Sequence, residues 1–294
     1  MSYLARITQN TPTAVVLLVD QSGSMSEPAL WNGHTVTKAQ AVASAINTLL
    51  AELIARSRRD GGFQTYYDIA VVGYSGSEVR SLLPSVGEAW FLTPEELADN
   101  PVERRDVQRI RRLPDGRSVT TVMRENVWVR PAAEWNTPMV AAFTEAHRLL
   151  KQWCGRHKGQ PCYPPTVIHI TDGEATDGGP ERLAAAAKKL RSLATADGNT
   201  LLINVHISGA GSNPVLFPAS AEELPKDRYA RLLFDISSPM PALYRDEIAL
   251  LRGTAPAAGR EETPRGMGYN ANMTDLVRMM NIGTATSNLL LCVD

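Results

Sequence analysis

The sequence predicts an α/β fold with a doubly wound, mostly parallel sheet flanked by helices. Short apolar runs rich in β-branched residues recur along the chain between polar residues, as is typical of strands buried on both faces. They alternate with amphipathic segments of ten or more residues, which predict helices. This alternation favours right-handed βαβ crossovers, which place helices on both faces of a parallel sheet.

The predicted elements follow one another in a regular order. Strands are predicted at 14–19, 69–72, 167–170, 201–205 and 232–236. Helices are predicted at about 37–56, where one apolar stripe recurs at helical spacing, at 139–153, and after Gly179. Pro138 and Pro180 stand at the starts of the last two helices, where a missing N–H group costs nothing.

Two segments interrupt this alternation. The segment at about 77–131 combines a short helix at 93–99, an Arg-rich stretch, a turn at 114–116 and a strand-like run at 118–129, and predicts an inserted β-hairpin. The segment at 253–269 is rich in Gly, Ala, Pro and Arg and predicts a long loop, followed by a short helix at 274–280.

The length alone is compatible with one domain or two. The order of the elements favours a single domain over 1–294. Its core is expected at about 11–76 and 132–237, its insertion at about 77–131, and a C-terminal tail and helix at about 238–294.

Composition excludes several classes of protein. Lys plus Arg number 30 and Asp plus Glu 31, so the chain lacks the broad positive charge of non-specific nucleic-acid binders. No apolar run approaches the ~20 residues that cross a bilayer, so no membrane span is predicted. The N-terminal residues lack the layout of a signal peptide, and three cysteines are too few for a disulfide framework. We therefore expect a cytoplasmic protein.

Polar side chains follow the first predicted strand at two-residue spacing. Asp20, Ser22 and Ser24 point to the same side of an extended backbone, and Gly23 lets the chain curl so that their oxygens converge. Converging hard oxygen donors indicate a hard cation.

Two further segments supply similar groups. Asp172 follows the run at 167–170, with Gly173 permitting a tight turn, and Thr137 directly precedes a predicted helix. Asp20 and Asp172 would supply two negative charges, whereas the hydroxyls are neutral and leave a metal electron-poor. Because Mg²⁺ prefers octahedral oxygen geometry and usually keeps waters, one coordination position would remain for an outside carboxylate.

The ordered pattern resembles the metal-ion-dependent adhesion site of von Willebrand factor A domains, whose fold is Rossmann-like. The resemblance covers about 11–207, with an expected extension to 237, and leaves out the insertion and the C-terminal tail. It implies five metal ligands: Asp20, Ser22, Ser24, Thr137 and Asp172. It implies Mg²⁺, with Mn²⁺ or Ca²⁺ as alternatives. The run at 172–177 resembles intracellular bacterial members such as the tellurite-resistance-associated group, which implies partners such as an ATPase, kinase or phosphatase encoded nearby.

The predicted function is metal-dependent recognition of a partner protein through an acidic side chain. No nucleophile and base pair accompanies the metal site, so no enzymatic activity is expected. The alternative is a regulatory or structural subunit whose metal only stabilises the fold. A metal-dependent phosphatase of the haloacid dehalogenase type is disfavoured because Ser22 stands where that chemistry needs a second acid. Simple capping of helices or turns by Asp20 and Asp172 would explain only one fragment at a time.

Other candidate residues have weaker patterns. Gly23, Gly173, Glu174 and Asp177 are expected behind the metal ligands or at the rim, with the two acids favoured as charges at a helix N-terminus. The spacing of Cys154, His157 and Cys162 matches no strong zinc pattern.

For three further groups of residues, a structural role is the first interpretation. His169, inside a predicted strand, is expected to be a hydrogen-bonded core residue. Trp90, Trp128 and Trp135 are expected to be packing anchors. The arginines of the insertion are expected on a solvated hairpin face, with contact to a partner protein as the second interpretation; they are Arg104, Arg105, Arg109, Arg111, Arg112 and Arg117. Because the insertion precedes Thr137, its exit is expected to form one rim of the binding face.

Overall fold

The computed structural model describes residues 3–31, 33–112, 118–207, 213–253 and 263–284. The strands are β1 (Thr13–Asp20), β2 (Pro28–Trp31), β3 (His34–Thr37), β4 (Arg58–Arg59), β5 (Gly62–Phe63), β6 (Tyr67–Ser75), β7 (Glu78–Ser81), β8 (Glu103–Arg112), β9 (Ser118–Val127), β10 (Thr166–Thr171), β11 (Leu201–Ile207), β12 (Val215–Leu216) and β13 (Met267–Ala271). The helices are α1 (Lys38–Ser57), α2 (Pro94–Asp99), α3 (Met139–Arg156), α4 (Pro180–Arg191), α5 (Arg228–Ile236), α6 (Arg245–Leu251) and α7 (Met273–Thr284).

A seven-stranded sheet in the order β12-β13-β11-β10-β1-β6-β7 forms the centre of the fold. The five inner strands run parallel, and β7 and β12 pair antiparallel at the two edges. This arrangement confirms the predicted doubly wound α/β fold. Strand β1 pairs with β6 on one side and with β10 on the other, so the strand order reverses between β1 and β10. In open α/β sheets, ligands bind outside the carboxyl ends of the strands at such a point.

Strand β1 is buried along its whole length, which explains its continuous apolar sequence. Alternate side chains enter two different cores. Val15, Leu17 and Val19 pack with residues of α1 and α7, whereas Val16 and Leu18 pack with residues of α3, α4 and α5. Within the described ranges, no helix combines the length and apolar character needed to cross a bilayer.

One predicted strand is wrong. Residues 232–236 lie in α5, because a short apolar run does not distinguish a buried strand from a buried helix. Tyr229, Ala230 and Leu233 are buried at helical spacing, and the Asp227 side chain caps the helix by accepting a hydrogen bond from the Tyr229 N–H group. The fifth parallel strand of the sheet, in chain order, is instead β13, whose first residues lie inside the segment predicted as a loop.

The insertion contains the predicted hairpin and begins later than predicted. Strands β8 and β9 pair antiparallel in ten consecutive residue pairs, and α2 confirms the short helix. The first residues of the segment at 77–131, however, belong to the central sheet as β7. The short hairpin of β2 and β3, between the first strand and α1, was not predicted.

The exit of the insertion is fixed by one side chain of α1. Asn47 Oδ1 accepts hydrogen bonds from the backbone N–H groups of Trp128 (2.9 Å) and Val129 (3.0 Å), and Asn47 Nδ2 donates to the Val129 carbonyl (2.9 Å). Trp128 is buried and its indole N–H group donates to the Leu97 carbonyl (2.6 Å), which confirms it as a packing anchor.

We expect Asn47→Ala to lower the free energy of unfolding by about 2–3 kcal/mol, because three hydrogen bonds are lost and two backbone N–H groups lose their acceptor. Urea unfolding measures this change. Thr48→Ala on the exposed side of the same helix is the control, with an expected change within about 0.5 kcal/mol. Equal effects of the two substitutions would show that Asn47 does not hold this segment.

Candidate metal centre

The two predicted aspartates lie at the ends of neighbouring strands. Asp20 is the last residue of β1, and Asp172 directly follows β10. The register pairs Val19 with Ile170, so both carboxylates lie at the same edge of the sheet, where the strand order reverses. The fold therefore brings together two acids separated by 151 intervening residues of sequence.

Asp20 is buried, at 1% exposure, and its two oxygens have separate partners. Oδ1 accepts a hydrogen bond from the Ser22 N–H group, and Oδ2 accepts one from Thr171 Oγ1, both at 2.8 Å. Burial raises the pKa of Asp20; the bonds from Ser22 and Thr171 oppose this effect, and the nearby charge of Asp172 adds to it. A cation beside this carboxylate would favour its charged form.

The two serines connect the first loop to Asp172. Ser22 Oγ lies 3.2 Å from Ser24 Oγ, and Ser24 Oγ donates to Asp172 Oδ1 at 2.6 Å. A 3₁₀ turn at Gly23–Ser26 shapes this loop, with Met25 fully buried beneath it.

The structure adds a residue that the sequence patterns did not indicate. Lys38, the first residue of α1, places Nζ 2.9 Å from Asp172 Oδ2 and 2.6 Å from Glu27 Oε2. Burial lowers the pKa of Lys38, but the hydrogen bonds and charges of Glu27 and Asp172 outweigh this effect and raise it. The ammonium is therefore charged, and Asp172 has a partner on each of its oxygens.

Thr137 is tied to the loop that carries Asp172. Its N–H group donates to Thr176 Oγ1 (3.0 Å), and its carbonyl accepts from the N–H groups of Thr176 (3.0 Å) and Met139 (2.8 Å). The Thr137 hydroxyl has no hydrogen-bond partner among the residues described. It is free to ligate a cation.

The residues predicted to surround the ligands divide into two roles. Asp177 accepts from the N–H groups of Val140 (3.0 Å) and Ala141 (2.8 Å), so it caps α3; this confirms the predicted helix N-terminal charge. Gly173 is bonded to Thr171 Oγ1 through both its N–H group and its carbonyl. Glu174 is exposed on the same loop.

A second loop crosses close to the first. The Gly23 N–H group donates to the Trp135 carbonyl at 2.9 Å, and the Glu134 N–H group donates to the Gln21 carbonyl at 2.6 Å. The exit of the insertion therefore runs beside the Asp20 loop. Trp135 is 81% exposed at a positive φ of 57°, so the prediction that it is a packing anchor is wrong.

These residues fit a hard cation. In an octahedron with Mg²⁺–O distances of 2.0–2.1 Å, neighbouring oxygens are roughly 2.9 Å apart, and the measured contacts of Ser24 Oγ to Ser22 and Asp172 lie on either side of this value. Asp172 is already paired with the Lys38 ammonium. The described residues contain no cluster of three or more His, Cys, Asp or Glu side chains placed to hold a metal; the predicted set has only two such residues, with hydroxyls as the other donors.

A buried phenol next to these acids also lacks a partner. The Tyr229 hydroxyl is buried without a hydrogen bond in the described part of the chain. Burial raises the pKa of Tyr229, the nearby Thr171 hydroxyl opposes this effect, and the charges of Asp20, Glu174 and Asp172 add to it. A hydrated cation would bring water molecules close to such a group.

The remaining candidates have structural partners. His157 stacks on Trp153 with 4.1 Å between ring centroids, and His157 Nδ1 lies 2.9 Å from the Trp153 carbonyl. Cys154 is half-buried and Cys162 is buried, both as free thiols. Trp90 is partly buried, with the Arg148 guanidinium 5.8 Å from its ring centroid.

His169 is a hydrogen-bonded core residue, as predicted. Its Nε2 lies 2.7 Å from the Tyr74 hydroxyl and its Nδ1 lies 2.9 Å from Asn204 Oδ1. Because Asn204 Oδ1 is an acceptor, Nδ1 carries the proton and Nε2 accepts from Tyr74. Burial lowers the pKa of His169 to about 4.

No protein-family model matches the chain, and no curated protein sequence matches it. Solved structures are similar in fold. A von Willebrand factor type A structure from Catenulispora acidiphila is 17% identical with a TM-score of 0.37, covering 67% of this chain and 34% of that one. The conserved hypothetical protein BatB from Bacteroides thetaiotaomicron is 16% identical with a TM-score of 0.35, covering 66% of each chain.

A third structure, an aerotolerance-related membrane protein from Bacteroides fragilis, is 15% identical with a TM-score of 0.38 and covers 76% of this chain and 86% of that one. The match thus spans about a third of the length of the Catenulispora acidiphila chain. Identities and TM-scores at this level carry no conclusion about activity.

We expect Thr171→Val to lower the free energy of unfolding by about 1–3 kcal/mol, because a buried carboxylate loses a hydrogen-bond donor. Thr166→Val is a matched control on the same strand: Thr166 is equally buried, but its hydroxyl has no hydrogen-bond partner among the described residues. That substitution is expected to be neutral or slightly stabilising. Urea unfolding in EDTA distinguishes the two, and equal losses would contradict the role given to Thr171.

We also expect His169 to make the fold acid-sensitive. Its folded pKa of about 4 lies below the ordinary value of about 6.5, so the unfolded chain binds the proton more tightly. The stabilisation is present above pH 6.5 and is lost as the pH falls towards 4, by up to about 3 kcal/mol.

The measurement compares unfolding free energies at pH 7 and pH 4.5. His169→Gln should reduce the loss between these values, whereas His34→Gln, on the exposed strand β3, should leave it unchanged. A wild-type loss retained in His169→Gln would assign the acid sensitivity to other groups.

Proposed function

We propose that this protein is a metal-dependent protein-interaction module of the von Willebrand factor A type. Asp20, Ser22, Ser24, Thr137 and Asp172 hold a divalent cation, Mg²⁺ in preference to Mn²⁺ or Ca²⁺, and an acidic side chain of a partner protein completes its coordination. The observation that supports this most is the contact between the loops that carry Asp20 and Asp172 at the point where the strand order reverses: Ser24 bonds to Asp172, and the Thr137 backbone is bonded to the same Asp172 loop.

The chemistry of the donors supports recognition in preference to turnover. Hydroxyl ligands donate little charge, so a bound cation would retain its attraction for an anionic group. Neither Ser22 nor Ser24 belongs to a serine–histidine pair, since in the described part of the chain no histidine forms a hydrogen bond with either. His169 is engaged with Tyr74 and Asn204. We therefore assign the chain a binding role and no enzymatic one.

The rim of the site offers contacts for a partner. Trp135 presents its indole to solvent two residues before Thr137, while the backbone of this loop is held by Gln21, Gly23 and Gly76. Exposed tryptophans at fixed positions are frequent energetic centres of protein interfaces. We assign Trp135 and the exit of the insertion to one rim of the binding face.

The finer assignments rest on the sequence resemblance. From it we propose an intracellular bacterial member of the tellurite-resistance-associated type with an ATPase, kinase or phosphatase as a partner; a location in the cytoplasm is proposed from the N-terminal residues and the three cysteines. The alternative function is a regulatory or structural subunit whose metal only stabilises the fold. The burial of Asp20 favours this alternative, because a cation at a buried carboxylate also contributes to folding.

We expect Asp20→Asn to abolish Mn²⁺ and Mg²⁺ binding measured by isothermal titration calorimetry, because the site loses half of its carboxylate charge. Asp99→Asn, at an exposed position of α2, removes the same charge elsewhere and should bind the cations normally. Unchanged binding by Asp20→Asn would contradict the proposed metal site.

An affinity pull-down with and without EDTA separates the two functions. Recognition through the metal predicts that EDTA and Asp20→Asn both release the bound protein, at a temperature where the variant is still folded. If the metal only stabilises the fold, EDTA and Asp20→Asn lower the melting temperature of the protein, but the partner stays bound. A complex that resists both treatments would refute metal-bridged recognition.

A further inference from the structure

We propose that Lys38 is a resident cation of this site, which competes with the divalent metal for Asp172 and leaves the loaded site with a net positive charge. This inference rests on the proposed function and adds to it a residue outside the five predicted ligands. It explains why a lysine is buried among carboxylates at the start of a helix.

The contacts of Lys38 carry the inference. Nζ lies 2.9 Å from Asp172 Oδ2, in an ion pair whose side chains are 6% and 0% exposed. The other oxygen of Asp172 accepts from Ser24 Oγ, so the ammonium and the serine loop share one carboxylate. A cation bound by Asp172 would therefore share this carboxylate with the Lys38 ammonium and lie close to it.

The backbone fixes Lys38 in this position. Thr37 caps α1 through a reciprocal pair of hydrogen bonds with Gln40, and the Lys38 N–H group donates to the Glu27 carbonyl at 2.9 Å. The hairpin of β2 and β3 is thus closed at its base, with the Lys38 side chain directed to Asp172. The surrounding fold therefore determines the contact between Lys38 and Asp172. The Lys38 backbone is bonded to the Glu27 carbonyl, and its ammonium is bonded to Glu27 and Asp172.

The charge balance gives the sign of the effect. The buried groups Asp20, Asp172 and Lys38 together carry one negative charge, and a divalent cation turns this into one positive charge; Glu27 is left out of this sum because its side chain is 61% exposed and its charge is screened by solvent. Repulsion between the ammonium and the metal weakens metal binding. The resulting positive charge favours an anionic group in the remaining coordination position, which matches the acidic side chain proposed for the partner.

Glu27 provides a test of opposite sign. Its side chain is 61% exposed and pairs with Lys38 at 2.6 Å, so it offsets part of the ammonium charge. Removing the charge of Glu27 exposes the metal to more of this repulsion. Removing the charge of Lys38 abolishes the repulsion.

The experiment measures Mn²⁺ affinity by isothermal titration calorimetry on the full chain. Lys38→Met is expected to bind Mn²⁺ at least about tenfold more tightly than the wild type, and Glu27→Gln about two- to fivefold more weakly, because the exposed charge is screened. Lys151→Met, at an exposed position of α3, changes the net charge equally and should leave the affinity unchanged.

A structural role alone predicts a different result. If Lys38 only supports the fold, Lys38→Met lowers the melting temperature equally in EDTA and in Mn²⁺, and Mn²⁺ affinity is unchanged or weaker. The inference predicts a larger loss in EDTA than in Mn²⁺, since the metal replaces the missing cation. If Lys38→Met does not fold, Glu27→Gln decides, and unchanged or tighter binding by that variant overturns the inference.

The failure of this inference differs from the failure of the proposed function. A wild type that binds Mn²⁺, together with a Lys38→Met variant that binds no more tightly, overturns only the role of Lys38. If the wild type shows no measurable Mn²⁺ binding but Lys38→Met binds Mn²⁺, the result supports competition between Lys38 and the metal. Absence of binding in every variant overturns both.

Discussion

Parallel pairing of β1 with β10 is the constraint on which the candidate site depends. Because Val19 lies opposite Ile170, the strands end together, and Asp20 on one strand and Asp172 after Thr171 on the other place two carboxylates at one edge of the sheet. Two buried acids that lie close together repel each other unless compensating groups surround them. The neighbouring loops supply these groups: Thr171 for Asp20, and Ser24 and Lys38 for Asp172.

The same constraint explains how three distant segments form one site. The loop at 172–177 bonds to Thr137 through Thr176, and Asp177 caps α3. The start of α3 and the carboxylate of Asp172 are therefore fixed relative to each other by short backbone contacts. A displacement of this loop would move Asp172 and Thr137 together.

Local pattern was sufficient to predict those parts of the fold whose environment is uniform. Strand β1 lies between two hydrophobic cores, so nearly every one of its residues is apolar and the strand is recognisable from its sequence. The run at 232–236 in α5 predicts a strand because its four apolar residues are too few to show a period, and β13 predicts a loop because it contains Gly and Asn. A Cβ atom at Gly268 would meet the Met279 sulfur, so a larger residue there would force the Met279 side chain to shift; the sequence alone does not show this contact.

The ligand types were predictable for a similar reason, and Lys38 was not. Asp20, Ser22 and Ser24 occur within five residues after a buried run, so their convergence follows from the geometry of a strand end. Lys38 reaches Asp172 only because the hairpin of β2 and β3 returns the chain to Glu27. A lysine at the start of a helix is ordinarily a solvated charge.

Asp20 and Asp172 differ in how far their negative charges are compensated by neighbouring groups. Asp172 has an ammonium at one oxygen, whereas Asp20 has only neutral donors and the raised pKa of a buried acid. Under the proposed function, an incoming divalent ion would therefore satisfy chiefly the charge of Asp20, with the hydroxyls of Ser22, Ser24 and Thr137 as its other ligands. In a chain whose net charge is −1, selectivity for an acidic partner would then depend on the charge balance among Asp20, Asp172, Lys38 and one metal ion, and little on the protein surface as a whole.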